Sequence, residues 1–431
     1  MLTQLARHNP CIRFIAGCLL IFQAAAPVPV FAAEGQDVLS LPSLIQQVRQ
    51  ENPNVLAARK RWEASQARIP LSKALPAPRI GVEWEEIPRG SVKFNQATLI
   101  YQLIQSLPFP GKLSLRHQVA VKEAQREAMA FKQAEWEAVT DLKSAYYELF
   151  LLEREQEIQA EQVTWFSQAV ASAQSRYATG ITPQSELLQV EADQLSAENA
   201  LGVLSHRREA MAAHLNHLLN RQVHHAVGHP GPVALSPMRF SPDELMAIAR
   251  DNQPELLAFK FSAERAEASA RLSKRELLPD LETMVKLRDP AMGPFGPWDL
   301  SLAIAIPFWF WTKWRYGLKI AIYDKESAQA AYQAMQNEIA RRIHEHWHEA
   351  MASYQTAKLC EDGLLKLRSQ AVSSALATYQ AGRGSLMDLL ESLRMLAEQR
   401  RTYYQHLVAY EQQLVQLEQS VGVPLLAEGL Q

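Results

Sequence analysis

The sequence predicts a mainly helical chain with a small β part, built from one structural unit written twice. Three observations lead there. From Lys112 to Thr179 there is neither glycine nor proline and good helix formers dominate, so the stretch reads as one helix of about 67 residues, on the order of 100 Å long. The tip that ends it, from Arg176 through Gly180 to Leu187-Leu188, recurs from Thr378 to Leu389-Leu390. Tyr177 stands against Tyr379, Gly180 against Gly382 and Glu186 against Asp388. Ahead of each long helix lies a proline-flanked pair of segments whose apolar residues alternate with period two.

The elements follow in order. Arg7, His8 and Arg13, an apolar run over 14–26 and small residues at Val30-Phe31-Ala32 make residues 1–33 an expected export signal. Ile15-Ala16-Gly17-Cys18 resembles a lipoprotein cleavage box, although the apolar run continues past Cys18. With that segment removed, Cys360 is the one cysteine left, so burial and oligomerisation must take the place of a disulfide. Leu41 to Gln50 is expected as a short amphipathic helix, broken at Asn52-Pro53. Val55 to about Ala74 is expected as a second helix, ended by Pro76 and Pro78. Ile80, Val82 and Trp84 alternate with Gly81, Glu83 and Glu85, and Leu99, Tyr101 and Leu103 with Ile100, Gln102 and Ile104, giving strands near 79–87 and 97–106. In the long helix Val163, Phe166, Val170, Ala173 and Tyr177 have coiled-coil spacing. Gly180 stops the helix, and Thr182-Pro183 is expected to restart it, hydroxyl as cap and proline in the first turn.

The second half repeats this order. The first unit spans 38–220 with its hairpin at 112–220, and 221–240 is a linker rich in Pro, Gly and His. The second unit spans 241–424, with strands near 280–288 and 298–306 and a hairpin at 316–421. Ser241-Pro242-Asp243-Glu244 reads as a capping box. Leu365, Arg368, Val372, Ala375 and Tyr379 repeat the first helix's register, with Arg368 in place of Phe166.

Net charge is −2, which gives no reason to expect nucleic acid or an anionic surface as partner. Mean hydropathy is −0.19, and beyond the N-terminus no apolar run approaches the roughly 20 residues of a spanning helix, which leaves a soluble protein or a β-type membrane protein. Four strands are too few to close a barrel, and a membrane sheet tolerates no open edge. Strands in a membrane would therefore be shared, and three chains would supply twelve. Phe308-Trp309-Phe310-Trp311 and Trp314 suit a membrane–water interface, and Glu83, Glu85 and Ser301 a watery lumen. Two soluble hairpins packed on a helical bundle remain the alternative.

The export signal, the duplication, the proline-flanked strand pairs and the twofold Tyr-x-x-Gly tip with its acid and Leu-Leu resemble the TolC-type outer membrane factors, over about residues 38 to 424. Gln105-Ser106-Leu107-Pro108-Phe109-Pro110-Gly111-Lys112 resembles the strand-to-helix junction of their heavy-metal (Czc/Cus-type) branch. The resemblance implies a homotrimer, with a twelve-stranded barrel in outer membrane lipid and an α-barrel of long coiled-coil hairpins in the periplasm of a Gram-negative cell. Loops near 88–97 and 289–297 would be extracellular. It implies a passive exit duct in tripartite efflux of metal ions or small toxic compounds, fed by an inner-membrane pump of RND type. A periplasmic adaptor (membrane fusion) protein would dock at the tips, at Tyr177, Gly180, Leu187, Tyr379, Gly382 and Leu389. It further implies that Asp388 and Glu391, with Glu186 on the first hairpin, ring a closed aperture. An arginine that relatives can carry two residues past the tip glycine is replaced by Gly384, next to Arg383. From the residues alone, Asp388 and Glu391 also serve as first-turn acids at a helix N-terminus.

No phosphate-binding glycine loop, nucleophile elbow or Cys-x-x-Cys pair occurs, so neither catalysis nor a cofactor is expected. Of the twelve histidines, His344 and His348 share a helix face and could take Zn or Cu, against the plainer reading of a solvated face. His214, His217, His224, His225 and His229 cluster in or before the linker. Two other readings stay open: a soluble periplasmic coiled-coil adaptor or scaffold, and a periplasmic metal-binding protein using these histidines.

Overall fold

The computed structural model describes residues 38–85, 97–288, 297–304, 311–381 and 383–425, with the side chains of Trp311 and Lys313 set aside. The export signal, most of both expected extracellular loops, and Phe308 to Phe310 lie outside the described residues. The first half contains β1 (Val38–Leu39), α1 (Leu41–Glu51), α2 (Pro53–Leu71), β2 (Arg79–Glu85), β3 (Thr98–Leu107), α3 (Lys112–Ala178) and α4 (Gln184–Leu218). β4 (His229–Pro230) lies in the connection and pairs parallel with β1, a contact that two-residue strands do not announce in sequence. Then come α5 (Pro242–Asn252), α6 (Pro254–Arg275), β5 (Leu281–Arg288), β6 (Trp298–Ile304), α7 (Trp311–Leu359), α8 (Leu365–Gln380) and α9 (Leu386–Val421).

Local chemistry explains the boundaries. Asn52 ends α1 and caps α2, its side chain accepting from the N–H groups of Asn54 and Val55, so α2 starts at Pro53 rather than Val55. Gln253 does the same for α6, accepting from Leu256. Ser241 and Glu244 form the capping box of α5. At the first tip the expected cap is not made. Pro183 itself is the N-cap, at φ −72° and ψ 154°, and no side chain bonds to the turn. The ring's fixed φ suits that extended position, while Thr182 is buried with no hydrogen-bond partner for its hydroxyl among the described residues.

The second long helix changes pitch along its length. Between α7 and α8 a π-helical turn runs from Cys360 to Leu364, where Leu365 N–H bonds to Cys360 O. Tyr379 stands three residues farther from Pro307 than Tyr177 does from Pro108, and the π turn takes up one of the three without breaking the helix.

Four strands make one antiparallel sheet in the order β2-β3-β5-β6. Its register lines up Ile80, Leu103, Val285 and Leu300 on one face, beside Val82, Tyr101, Leu287 and Trp298. That face is exposed, Ile80 by 81% and Leu300 by 58%. The opposite face lines up Gly81, Gln102, Lys286 and Asp299. There Lys286 Nζ meets Glu83 at 2.6 Å, and Arg288 meets Asp299 at 3.1 Å and Glu85 at 3.7 Å. An apolar outside and an ion-paired inside are what a lipid-facing, water-filled barrel wall requires. Among the described residues the outer edges of β2 and β6 carry no partner strand. No described helix is long and apolar enough to cross a membrane.

The helices pack in the lateral order α4, α3, α9, then α7 with α8: α3 lies along α4 and α9, and α9 lies along α7 and α8. Leu142, Leu149, Leu215 and Val48 form a core in the first half, and Ile339, Ile343, Tyr410 and Leu417 its counterpart in the second. A third cluster at the tips joins Phe166, Ala173, Val190, Leu386 and Leu390.

Candidate functional site

Both hairpin tips are built by the same backbone closure. At the first, Gly180 N–H donates to Tyr177 O and Ile181 N–H to Arg176 O, both at 2.9 Å, with Gly180 at φ +73°. This is a Schellman ending, and its left-handed residue favours glycine. At the second, Arg383 N–H donates to Thr378 O at 3.1 Å; Gly382 lies outside the described residues. Gly384 fits where little else would, because an added Cβ would stand 3.2 Å from both Tyr379 N and Thr378 Cγ2.

The acidic residues take different places. Asp388 is exposed and completes a capping box: Ser385 Oγ accepts from Met387 N–H at 3.0 Å, and the Asp388 carboxylate accepts from Ser385 N–H at 3.3 Å. The first-turn role weighed for this acid is therefore present. Glu391 is exposed one turn on, 3.6 Å from Arg394. Glu186 is half-buried in the first turn of α4.

The tip residues divide likewise. Tyr177 is 44% exposed and Leu187 half-buried. Tyr379 is drawn inward: its hydroxyl lies 2.9 Å from Ser172 Oγ on α3, and the Arg176 guanidinium sits over its ring at 5.8 Å. Leu389 is buried within its own chain.

Sequence reasoning missed the residue that ties the hairpins together. Arg394 on α9 pairs with Asp193 on α4, reaches Glu391 and stacks over Phe166 of α3 at 5.3 Å. The three-residue spacing of Glu391 and Arg394 was visible, but the pairing with Asp193 depends on how two separate hairpins pack. A cavity of about 500 Å³ lies beside this arginine, lined also by Gln159, Gln162 and Arg401. Farther from the tip, Lys143 Nζ and Glu418 form a buried ion pair at 2.9 Å. Nearby, burial pushes the Glu411 carboxyl up to about 7.

His344 and His348 are exposed on α7 with stacked rings, centroids 6.4 Å apart. Among the described residues no group of three or more His, Cys, Asp or Glu surrounds a common point within one chain.

The family model for "Outer membrane efflux protein" matches residues 44–221 and again 245–423. The chain is 20% identical over 377 residues to the cobalt-zinc-cadmium resistance protein CzcC of Cupriavidus metallidurans, across 87% of this chain and 88% of that one. Its fold resembles the outer membrane protein VceC of Vibrio cholerae, with TM-score 0.77, 17% identity and coverage of 89% of this chain and 96% of that one. It also resembles CusC, with TM-score 0.77, 15% identity and coverage of 89% and 92%. The twofold match spans the chain in the two halves that the fold repeats, and it sets the free-standing adaptor reading aside: the chain belongs to the outer membrane efflux protein family.

Proposed function

We propose that three copies of this chain close into one duct whose narrowest point is ringed by Asp388 and Glu391. Outer membrane efflux proteins are channels of tripartite systems, working with an adaptor and an inner-membrane pump. The observation that carries the trimer is that both layers of the chain are open at matching ends. The sheet leaves the edges of β2 and β6 free, and the helical layer leaves α4 and α8 at its margins. In both layers one margin belongs to the first repeat and the other to the second. One head-to-tail rotation therefore joins β6 to β2 and α8 to α4 of the next copy. The sheet then has no edge to expose to lipid, and three copies supply twelve strands.

At the threefold axis three copies of Asp388 and Glu391 would concentrate cations and repel one another, biasing both ion passage and opening. Arg394, held by Asp193, ties α9 to the outer hairpin and would hold the aperture closed until an adaptor engages the exposed tip around Tyr177, Gly180 and Leu187. Tyr379 and Leu389 would support that tip from beneath. The name of the CzcC relative, a cobalt-zinc-cadmium resistance protein, supports divalent metal ions as cargo; the inner-membrane partner would be a pump of RND type. Residues 1–33 would direct export.

Single-channel recording of the detergent-purified protein in a planar bilayer tests the aperture. Small cation-selective steps are expected, and Asp388→Ala/Glu391→Ala should enlarge them or abolish selectivity. Identical steps in the two proteins would remove these acids from the constriction.

A further inference from the structure

Resting on the trimer proposed above, we propose a divalent transition-metal site at each seam between copies, formed by His344 and His348 of one copy with His214 and His217 of the partner subunit.

The faces come first. On α4 the buried Val190, Ala197 and Leu215 mark the side packed on α3. Leu188, Leu195 and His217 project from the opposite side, and Leu188 and Leu195 are exposed by 55% and 67%. On α7 the buried Ile339, Ile343, Ala350 and Ala357 face α9, while His344, His348 and the exposed Leu359 point away from it. Both histidine sets thus sit on the two margins that meet when the ring closes.

The heights agree as well. His346 Nδ1 lies 2.8 Å from Gln413 Oε1, which sets α7 against α9. The adjacent Gln412 Nε2 reaches Glu148 on α3 at 3.5 Å, and Arg208 on α4 reaches Glu153 on α3 at 2.9 Å. α3 and α4 run antiparallel, so the five residues from Glu153 back to Glu148 correspond to five onward from Arg208, which is Ala213. His346 is therefore level with residue 213; at 1.5 Å per residue His344 and His348 lie about 3 Å to either side of that level, His214 about 1.5 Å and His217 about 6 Å beyond it. Rotation about an axis parallel to the helices changes no height, so the four imidazoles arrive together.

The chemistry is consistent. Residues four apart lie on one helix face, and the stacked His344 and His348 rings need only rotamer adjustment to aim two nitrogens at one ion. His346 is committed to Gln413 and Glu345 to Arg341, so neither competes for the ion. Asp141 of α3 lies near His214, so a carboxylate borders the site. Neutral imidazoles select Zn²⁺, Co²⁺, Cu²⁺ or Ni²⁺ over Mg²⁺ or Ca²⁺. A bound ion would pin α7 to the neighbouring α4 well above the aperture, fastening the wall when periplasmic metal is plentiful.

The test uses the full chain purified as a trimer and Co²⁺ alone as probe. Wild type is expected to bind about three Co²⁺ per trimer with the intense visible bands of tetrahedral nitrogen coordination. His344→Ala/His348→Ala and His214→Ala/His217→Ala should each abolish the bands while remaining trimeric, since all four side chains are on the surface of one chain. Coexpressing the two variants should restore about one ion per mixed trimer, because one seam then carries all four histidines. An intact wild-type trimer without the bands, or bands surviving in either variant, would overturn the site and leave the trimer standing. No restoration in mixed trimers would overturn its location at the seam. A wild-type protein that is not trimeric would overturn both readings together.

Discussion

The two long helices come from one sequence pattern and end in the same tip, yet they live in different surroundings. α3 is flanked within its own chain by α4 and α9, and Phe166, Ala169 and Ala173 on its tipward half are buried. α8 occupies the corresponding stretch of the second repeat, and none of its residues is buried. Its register residue opposite Phe166 is the exposed Arg368. Two repeats side by side share one internal seam, α3 against α9, and leave one margin of each open, α4 and α8, so in the proposed trimer the bare face of α8 is where the next copy would pack. The π turn at Cys360–Leu364 falls where the well-packed α7 gives way to this unsupported segment.

Substitutions at matched positions sharpen this contrast. Phe166→Ala should cost about 3–5 kcal/mol, the range for emptying a buried aromatic site, and should lower both the yield and the melting temperature of the folded protein. Arg394→Ala acts on the tie between hairpins; about 1–2 kcal/mol of closed-state stabilisation should go, read as a higher open fraction in single-channel records. If that fraction stays unchanged, the Arg394–Asp193 pair is only scaffolding.

A smaller effect concerns the buried face of α9. The Glu411 carboxyl is raised by burial first and by the nearby Glu418 as well, with Tyr147 and Lys143 opposing. A raised folded-state value means that protonated Glu411 stabilises the fold fully below about pH 4.5, and that this contribution is lost as pH rises toward about 7. Glu411→Gln should therefore melt a few degrees above wild type at pH 8 and alike at pH 4.5; equal melting at both pH values would count against a buried titrating carboxyl. Smallest of all, Arg368→Ala should change stability by less than about 0.5 kcal/mol, as at other exposed positions.

Much of this was legible from spacing. Period-two alternation located all four strands, and Ile80, Val82 and Leu300 fall on the lipid-type face because strand side chains alternate strictly. Glycine at Gly180 placed the tip because a left-handed residue was needed there. What escaped depends on tertiary contact or on one missing hydrogen bond. Thr182 had the chemistry of a cap, but Pro183 took the position. The π turn has no sequence signature beyond extra residues between two landmarks. Arg394 met Asp193 only because two hairpins pack side by side, and Tyr379 turned to Ser172 while its twin Tyr177 stayed outside.

In the proposed trimer the bare face of α8 is covered by α4 of another copy. Leu188 on α4 and Gln370 on α8 are both exposed, on the sides directed away from their own neighbours. With His346 level with residue 213 and the helices antiparallel, Gln370, 24 residues on, comes level with residue 189, beside Leu188 of the next copy. Mild oxidation of Leu188→Cys/Gln370→Cys in the outer membrane should give a ladder of covalent dimers and trimers, requiring both substitutions. A double variant that stays monomeric on denaturing gels, in membranes where the protein is folded, would mean that α4 of another copy does not cover α8.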